Sequence, residues 1–252
     1  MQKHNLMILG LVLITSSFLI GFVVLKQQAQ DKFASQKDDA TPVQLGQMTE
    51  QQKKHSKLYT RPEDDSGRDL LAKGKDIDVI VTAPWVEAYT EGQTKPSQET
   101  LIHKLTCDSD VIVQAKVLSK TSQLTEDRRF VFTDYSLELK EIIKSLPTPK
   151  LGTDVDIILT TPGGTVKVEG KRINVKVKTA KRLVIGDTYL FFLDFLADSD
   201  SFKVINGEGV FGISDNEVNR FSDIDPPYQV VSQSKINFIG SIRTASQMCK
   251  EK

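Results

Sequence analysis

The chain has 252 residues, enough for one or two domains, and 39% of them are hydrophobic, enough for a packed core. Its 33 basic residues balance 33 acidic ones, so no global field recruits nucleic acid or anionic lipid, and an electrostatic partner must meet a local patch. Two cysteines, Cys107 and Cys249, are too few for a disulfide-dense scaffold and fit no zinc spacing.

Residues 1–5 form a short tail. Leu6–Leu25 (LMILGLVLITSSFLIGFVVL) then runs for 20 residues without a charge. At about 1.5 Å of rise per residue, a helix of that length spans roughly 30 Å, the hydrocarbon core of a bilayer. A helix also satisfies its own peptide groups internally, as lipid requires. A cleaved signal peptide would have a shorter apolar region and a small-x-small site; here Lys26-Gln27-Gln28-Ala29-Gln30 follows. A buried globular helix is seldom apolar on all sides for so long. The reading adopted is an uncleaved, single-pass anchor in the cell membrane, with secretion after signal cleavage as the alternative. Lys3 before the span and Lys26, Lys32 and Lys37 after it favour a cytoplasmic C-terminal side by count. Long following domains translocate largely regardless of charge, and the character of the domain described next argues for the outside.

Residues 26–75 turn to Gln, Lys, Asp and Glu, and Phe33, Val43, Leu45, Met48 and Leu58 show no sustained period. Low hydrophobicity of this kind does not offset chain entropy, so a flexible stalk is expected. Within it, a short helix around Thr49–Leu58 has Thr49 as its cap.

Residues 76–252 read as the folded domain. Ile77–Thr82 is a strand candidate ended by Pro84, and Ser97 caps a short helix whose Leu101, Ile102 and Leu105 share a face. Asp110–Leu118 alternates as a strand. Arg129–Ile143 is the longest extended candidate, and its change of apolar parity suits a bulge or strong bend. Asp154–Thr160 is a further strand, followed by the turn Pro162-Gly163-Gly164. Val166 and Val168 face Ile173, Val175 and Val177 across a hairpin. Thr188–Leu196 (TYLFFLDFL) is nearly continuously apolar, as a central strand buried on both faces would be. Phe202–Ile205 and Val210–Ile213 are short strands, and Ser241–Lys250 reads as a helix. Many short strands with Gly and Pro turns give a mainly β fold, best met by a small five-stranded β-barrel with one or two short helices.

From Ser97 to Ile213 the chain resembles extracytoplasmic bacterial domains with an OB-like, netrin/TIMP-type barrel. The residues that carry the likeness are the short helix, SDVIVQAKVLS, TDYSLELKEIIKS, PGGTV, IGDTYLFFL and INGEGVFGI. The resemblance implies an extracytoplasmic barrel with a binding role and supplies no catalytic residues. Inhibitors of the TIMP type lead with an N-terminal cysteine; about a hundred residues precede Cys107, so that mode does not carry over without processing.

Chemistry-bearing patterns are sparse. His4, His55 and His103 share no metal spacing, and no Gly-x-Ser-x-Gly elbow occurs. Gly164 to Gly170 encloses five residues where a phosphate loop needs four. The acidic clusters Asp108–Asp110, Asp198–Asp200 and Asp223–Asp225 lack EF-hand order. No cofactor or metal is expected. The one local charge bias is Lys167, Lys171, Arg172, Lys176, Lys178, Lys181 and Arg182 against Glu169 alone. In the hairpin reading, Lys167, Asn174, Lys176 and Lys178 lie opposite the valine face. Such a stripe without interleaved aromatics does not read as a nucleic-acid site; it is a solvated face or a seat for an acidic partner. Cys107 and Cys249 are a candidate disulfide if the domain lies in an oxidising compartment, closing a loop of about 140 residues.

Together these features point to a membrane-anchored, non-catalytic binding domain for a protein or anionic envelope polymer. A protease-inhibitor-like module and an envelope hydrolase with acids assembled across strands are the alternatives.

Overall fold

In the computed structural model, which describes residues 41–42, 47–60, 69–72, 76–81, 97–147, 150–153, 155–177, 182–205, 209–214, 217–220 and 233–249, the strands form two sheets and the fold is mainly β. The described residues lie in one unit, Ala40–Lys252. Among them no helix is long and apolar enough to cross a membrane; the expected anchor, Leu6–Leu25, lies outside them.

The elements in order are β1 (Thr41–Pro42), α1 (Glu50–Tyr59), a 3-10 turn at Leu70–Ala72, β2 (Ile77–Val81), α2 (Gln98–Asp108), β3 (Val111–Leu124) and β4 (Val131–Lys144). Next come β5 (Asp156–Pro162), β6 (Gly164–Val168), β7 (Lys171–Val177), β8 (Thr188–Leu196) and β9 (Ser201–Val204). The last are β10 (Val210–Ser214), β11 (Glu217–Arg220), β12 (Gln233–Ser234) and α3 (Lys235–Met248).

The large sheet runs β12-β11-β10-β8-β3-β4-β5-β9, and β9 pairs a second time with β8. The pairings β8–β3–β4–β5–β9–β8 therefore make a circuit, in which β9 lies parallel to β5 and antiparallel to β8. The register of β3 on β4 slips at three places, between Ile112 and Val113, Gln114 and Ala115, and Val117 and Ser119. Bulges of this kind increase local twist and bend a long ribbon.

β8 explains the layering. Its alternate residues Tyr189, Phe191 and Leu193 pack with Val113, Leu137, Leu139, Leu159 and Phe202 in one core cluster. Leu190 and Phe192 face the other way, into a second cluster with Ile112, Phe211, Phe238 and Ile242 under α2 and α3. Burial on both faces is why the run lacks the polar alternation of a surface strand. α2 is capped by the Ser97 side chain, which accepts from the Thr100 amide, and buries Leu101, Ile102 and Leu105 as its spacing requires.

A smaller sheet, β1-β6-β7-β2, was not expected. β6 and β7 make the hairpin read from the valines, but β1 joins β6 in parallel and β2 joins β7 in parallel. Its inner face (Val166, Val168, Ile173, Val175) packs on Leu124, Phe130, Val131 and Phe132 at the far end of the β3–β4 ribbon. Gly163 and Gly164, with φ of +86° and +147°, carry the chain from the large sheet into the small one. Part of the stretch expected as a flexible stalk also packs here: Tyr59 and Leu70 are buried members of this cluster. That corrects the compositional reading, which averaged over polar residues and missed a few anchoring contacts.

Candidate functional site

The outer face of the small sheet holds the basic residues singled out from the sequence. Opposite the buried valines, β6 presents Lys167 and β7 presents Arg172, Asn174 and Lys176. Lys167 and Lys176 are exposed, and among the described residues neither forms an ion pair. Lys171 is turned aside, its Nζ donating to the Leu71 carbonyl at 3.1 Å. Lys178 lies outside the described residues.

β2 modifies this face in a way no local charge count reveals. In its parallel register Asp78 stands beside Asn174 and Ile80 beside Lys176. The Arg172 amide donates to Asp76 Oδ1 at 2.9 Å, and its guanidinium lies 3.6 Å from Asp78 Oδ1. Asn174 donates to Asp78 Oδ1 at 2.5 Å and accepts from Thr165 Oγ1 and from Arg182. Arg172 is thus partly neutralised, and Lys167 and Lys176 remain as exposed cations, Lys176 beside Ile80, which is 66% exposed, and Lys167 two strands from it.

A second constellation escaped the sequence reading. His55 on α1, Asp134 on β4 and Ser201 at the start of β9 meet: His55 Nε2 is 2.7 Å from Ser201 Oγ, and His55 Nδ1 is 2.9 Å from Asp134 Oδ1. These are the residue types of a serine-hydrolase triad. The environment is different. His55 and Ser201 are both 0% exposed and Asp134 is 9% exposed. Ser201 Oγ is also 2.6 Å from Ser199 Oγ, and the close approach of Nδ1 to Oδ1 makes no directed hydrogen bond. A nucleophile needs a face open to substrate; this serine, wholly buried, has none. Around it, Tyr59 stacks on Phe130 and Phe132 at centroid distances of 6.2 and 5.8 Å. Burial pushes the Tyr59 phenol well above its usual range, while a hydrogen bond with Thr160 pulls the other way. The signal for this cluster was the spacing His55, Ser56, Tyr59 on a helix that Thr49 and Gln52 close with a reciprocal capping box.

Between α2 and α3 lies a groove of about 450 Å³ lined by Glu99, Ile102 and His103 on one side and Ser241, Thr244 and Met248 on the other. Cys107 and Cys249, at the C-terminal ends of the two helices, are joined with Sγ–Sγ 2.06 Å and Cα–Cα 5.2 Å. His103, exposed on α2, has a ring nitrogen 3.8 Å from Cys107 Sγ. Both helix C-termini point negative ends at the bridge, which disfavours thiolates there and suits a structural rather than an exchanging disulfide. Among the described residues no group of three or more His, Cys, Asp or Glu side chains is arranged to hold a metal.

No protein-family model matches the chain, and no curated protein matches it.

Proposed function

We propose that the chain is a membrane-anchored, extracytoplasmic, non-catalytic binding domain that takes an anionic envelope polymer or an acidic protein surface on the outer face of its small sheet. The observation that carries this reading is the contrast between the two polar centres. The Ser–His–Asp constellation is sealed, whereas Lys167 and Lys176 are exposed, Lys176 beside the exposed Ile80. A sheet face with exposed cations flanking the buried Thr165 and Asn174, and with one exposed aliphatic side chain, suits a broad, charged partner better than a small molecule, which prefers a concave apolar site.

Three further points support the parts of the reading. The charge-free run Leu6–Leu25 supports the anchor. A disulfide between Cys107 and Cys249 supports an oxidising compartment and hence the outside. The circuit of five strands with one parallel contact supports an OB-like barrel, which the handful of Gly and Pro turns in the sequence also favours. Because Cys107 is engaged mid-chain, a cysteine-led inhibitory mode has less support than binding through the sheet face.

The test is a pull-down from envelope extracts with the full chain as bait in detergent, beside Lys167→Glu/Lys176→Glu. Retention of an anionic polymer or protein by the wild type, lost in the variant and in high salt, supports the reading. Equal retention by both proteins removes the basic face from it. An envelope hydrolase is the second reading, favoured by the residue types and spacings at His55, Asp134 and Ser201. A fluorophosphonate probe decides it: covalent labelling that disappears in Ser201→Ala would establish a working serine, and its absence leaves the sealed network as structure.

A further inference from the structure

α1 spans Glu50–Tyr59 and packs on the domain through its side chains. Its ten residues are too few to hold a helix on their own in water. Among the described residues, no backbone hydrogen bond ties it to a strand. It is held by side chains alone. Gln51 Nε2 donates to the Ser199 carbonyl at 2.9 Å, and Lys54 Nζ donates to the Asp198 carbonyl. Ser56 Oγ accepts from the Glu126 amide at 2.8 Å, Tyr59 stacks on two phenylalanines, and His55 reaches Ser201 and Asp134.

Most of these seats are in connections, not in ladders. Asp198 and Ser199 lie in the turn between β8 and β9, and Glu126 lies in the turn between β3 and β4. The helix can therefore leave without breaking a sheet hydrogen bond, and the apolar surface that returns to water is that of Tyr59 and of the Phe130 and Phe132 rings it stacks on.

We propose that α1 is a strap that opens as a unit of its own, far more often than the sheets unfold, with the His55–Ser201–Asp134 contact as its latch. Opening uncovers Phe130, Phe132, Asp134 and Thr160 and leaves the five-strand circuit intact.

The experiment compares thiol labelling at two buried positions in the full chain, under non-reducing conditions that keep Cys107–Cys249 joined. Thr160→Cys places a probe beneath Tyr59, at a site 1% exposed; Val113→Cys places one at a 0% exposed site inside the five-strand circuit. Sub-global opening predicts labelling at 160 about a hundredfold faster than at 113. Adding His55→Ala accelerates labelling at 160 by a further factor of about ten and leaves 113 within about twofold. Equal rates at the two positions, or equal acceleration of both by His55→Ala, would overturn the proposal. Hydrogen exchange on the unsubstituted protein guards against a variant that fails to fold. The amides of residues 55–59 must exchange about a hundredfold faster than those of 113–117, and equal protection of the two segments is again fatal.

Discussion

Two glycines near the small sheet look alike in the sequence and should behave very differently when replaced by alanine. Gly170 has φ +81° in the β6–β7 turn, and a Cβ there meets no heavy atom within 4 Å. Gly164 has φ +147°, and a Cβ there would overlap Thr133 Oγ1 outright and lie 2.7 Å from Ser122 Oγ. Those two hydroxyls are not at liberty to move. They are 2.8 Å apart, both are buried, and Thr133 Oγ1 donates to the Gly163 carbonyl at 2.7 Å. Gly170→Ala should therefore cost only the backbone strain of a left-handed residue, about 1–2 kcal/mol. Gly164→Ala adds an overpacking cost of about 1–3 kcal/mol and about 1 kcal/mol for each of the two hydrogen bonds displaced, for a total near 4–7 kcal/mol. For a domain of this size each kcal/mol lowers Tm by about 2–4 °C. Gly170→Ala should then melt a few degrees early and Gly164→Ala roughly 10 °C or more early. Urea unfolding followed by circular dichroism gives both values, with an unchanged slope as the check that the denatured state is unaltered. If the two variants differ by less than about 0.5 kcal/mol, the tight seat assigned to Gly164 between the sheets is wrong.

Other expectations are equally open to measurement. Cys107→Ser/Cys249→Ser should lose about 2–4 kcal/mol in urea unfolding, and mass measurement before and after reduction should show a gain of two protons only in the wild type; unchanged stability would mean that the packing of Phe238 and Ile242 alone fastens α3. Lys144 Nζ donates to the carbonyls of Thr106 and Ser109 at 2.7 and 2.6 Å, at the end of α2, so Lys144→Met should cost about 1–2 kcal/mol, and a neutral result would deny it a capping role. Burial pushes the Tyr189 phenol up to about 12 from 10.0 and raises Tyr59 as well. Both groups stay protonated in the folded state after their unfolded counterparts have ionised, so stability is full below about pH 10 and falls as the pH climbs toward 12. Phenolate absorbance in the folded protein should lose one late-titrating tyrosine in Tyr59→Phe and another in Tyr189→Phe; ionisation of these two near pH 10 would contradict their burial.

Local patterns in the sequence revealed the elements whose fate depends on their own residues. The unbroken apolar run from Tyr189 to Leu193 marked a strand with packing on both faces, and Val166, Val168, Ile173, Val175 and Val177 marked a hairpin. Ser97 and Thr49 marked two helix starts by their side-chain oxygens. What stayed hidden was long-range. β2 pairs in parallel with β7 nearly a hundred residues later, and neither strand carries a sign of its partner. For that reason the acids Asp76 and Asp78 were absent from the charge balance of Val166–Arg182, and Arg172 looked more available than it is. α1 was hidden for another reason: its composition is that of a linker, and its few buried residues, His55, Ser56 and Tyr59, stand among polar ones. His55, Asp134 and Ser201 lie on three elements that only the folded chain brings together. The open part of the candidate site, Lys167 and Lys176, was legible because a hairpin fixes its own two faces.

The account turns on whether that open face binds acidic partners, and an equilibrium titration tests this most directly. The full chain in detergent is titrated with a phosphate-rich anionic polymer and with a neutral polymer of similar size, at low and at high salt. The account predicts saturable binding to the anionic polymer alone, weakened at least about tenfold by Lys167→Glu/Lys176→Glu and by raised salt. Binding that is indifferent to polymer charge, or unchanged in the charge-reversed variant, would contradict it.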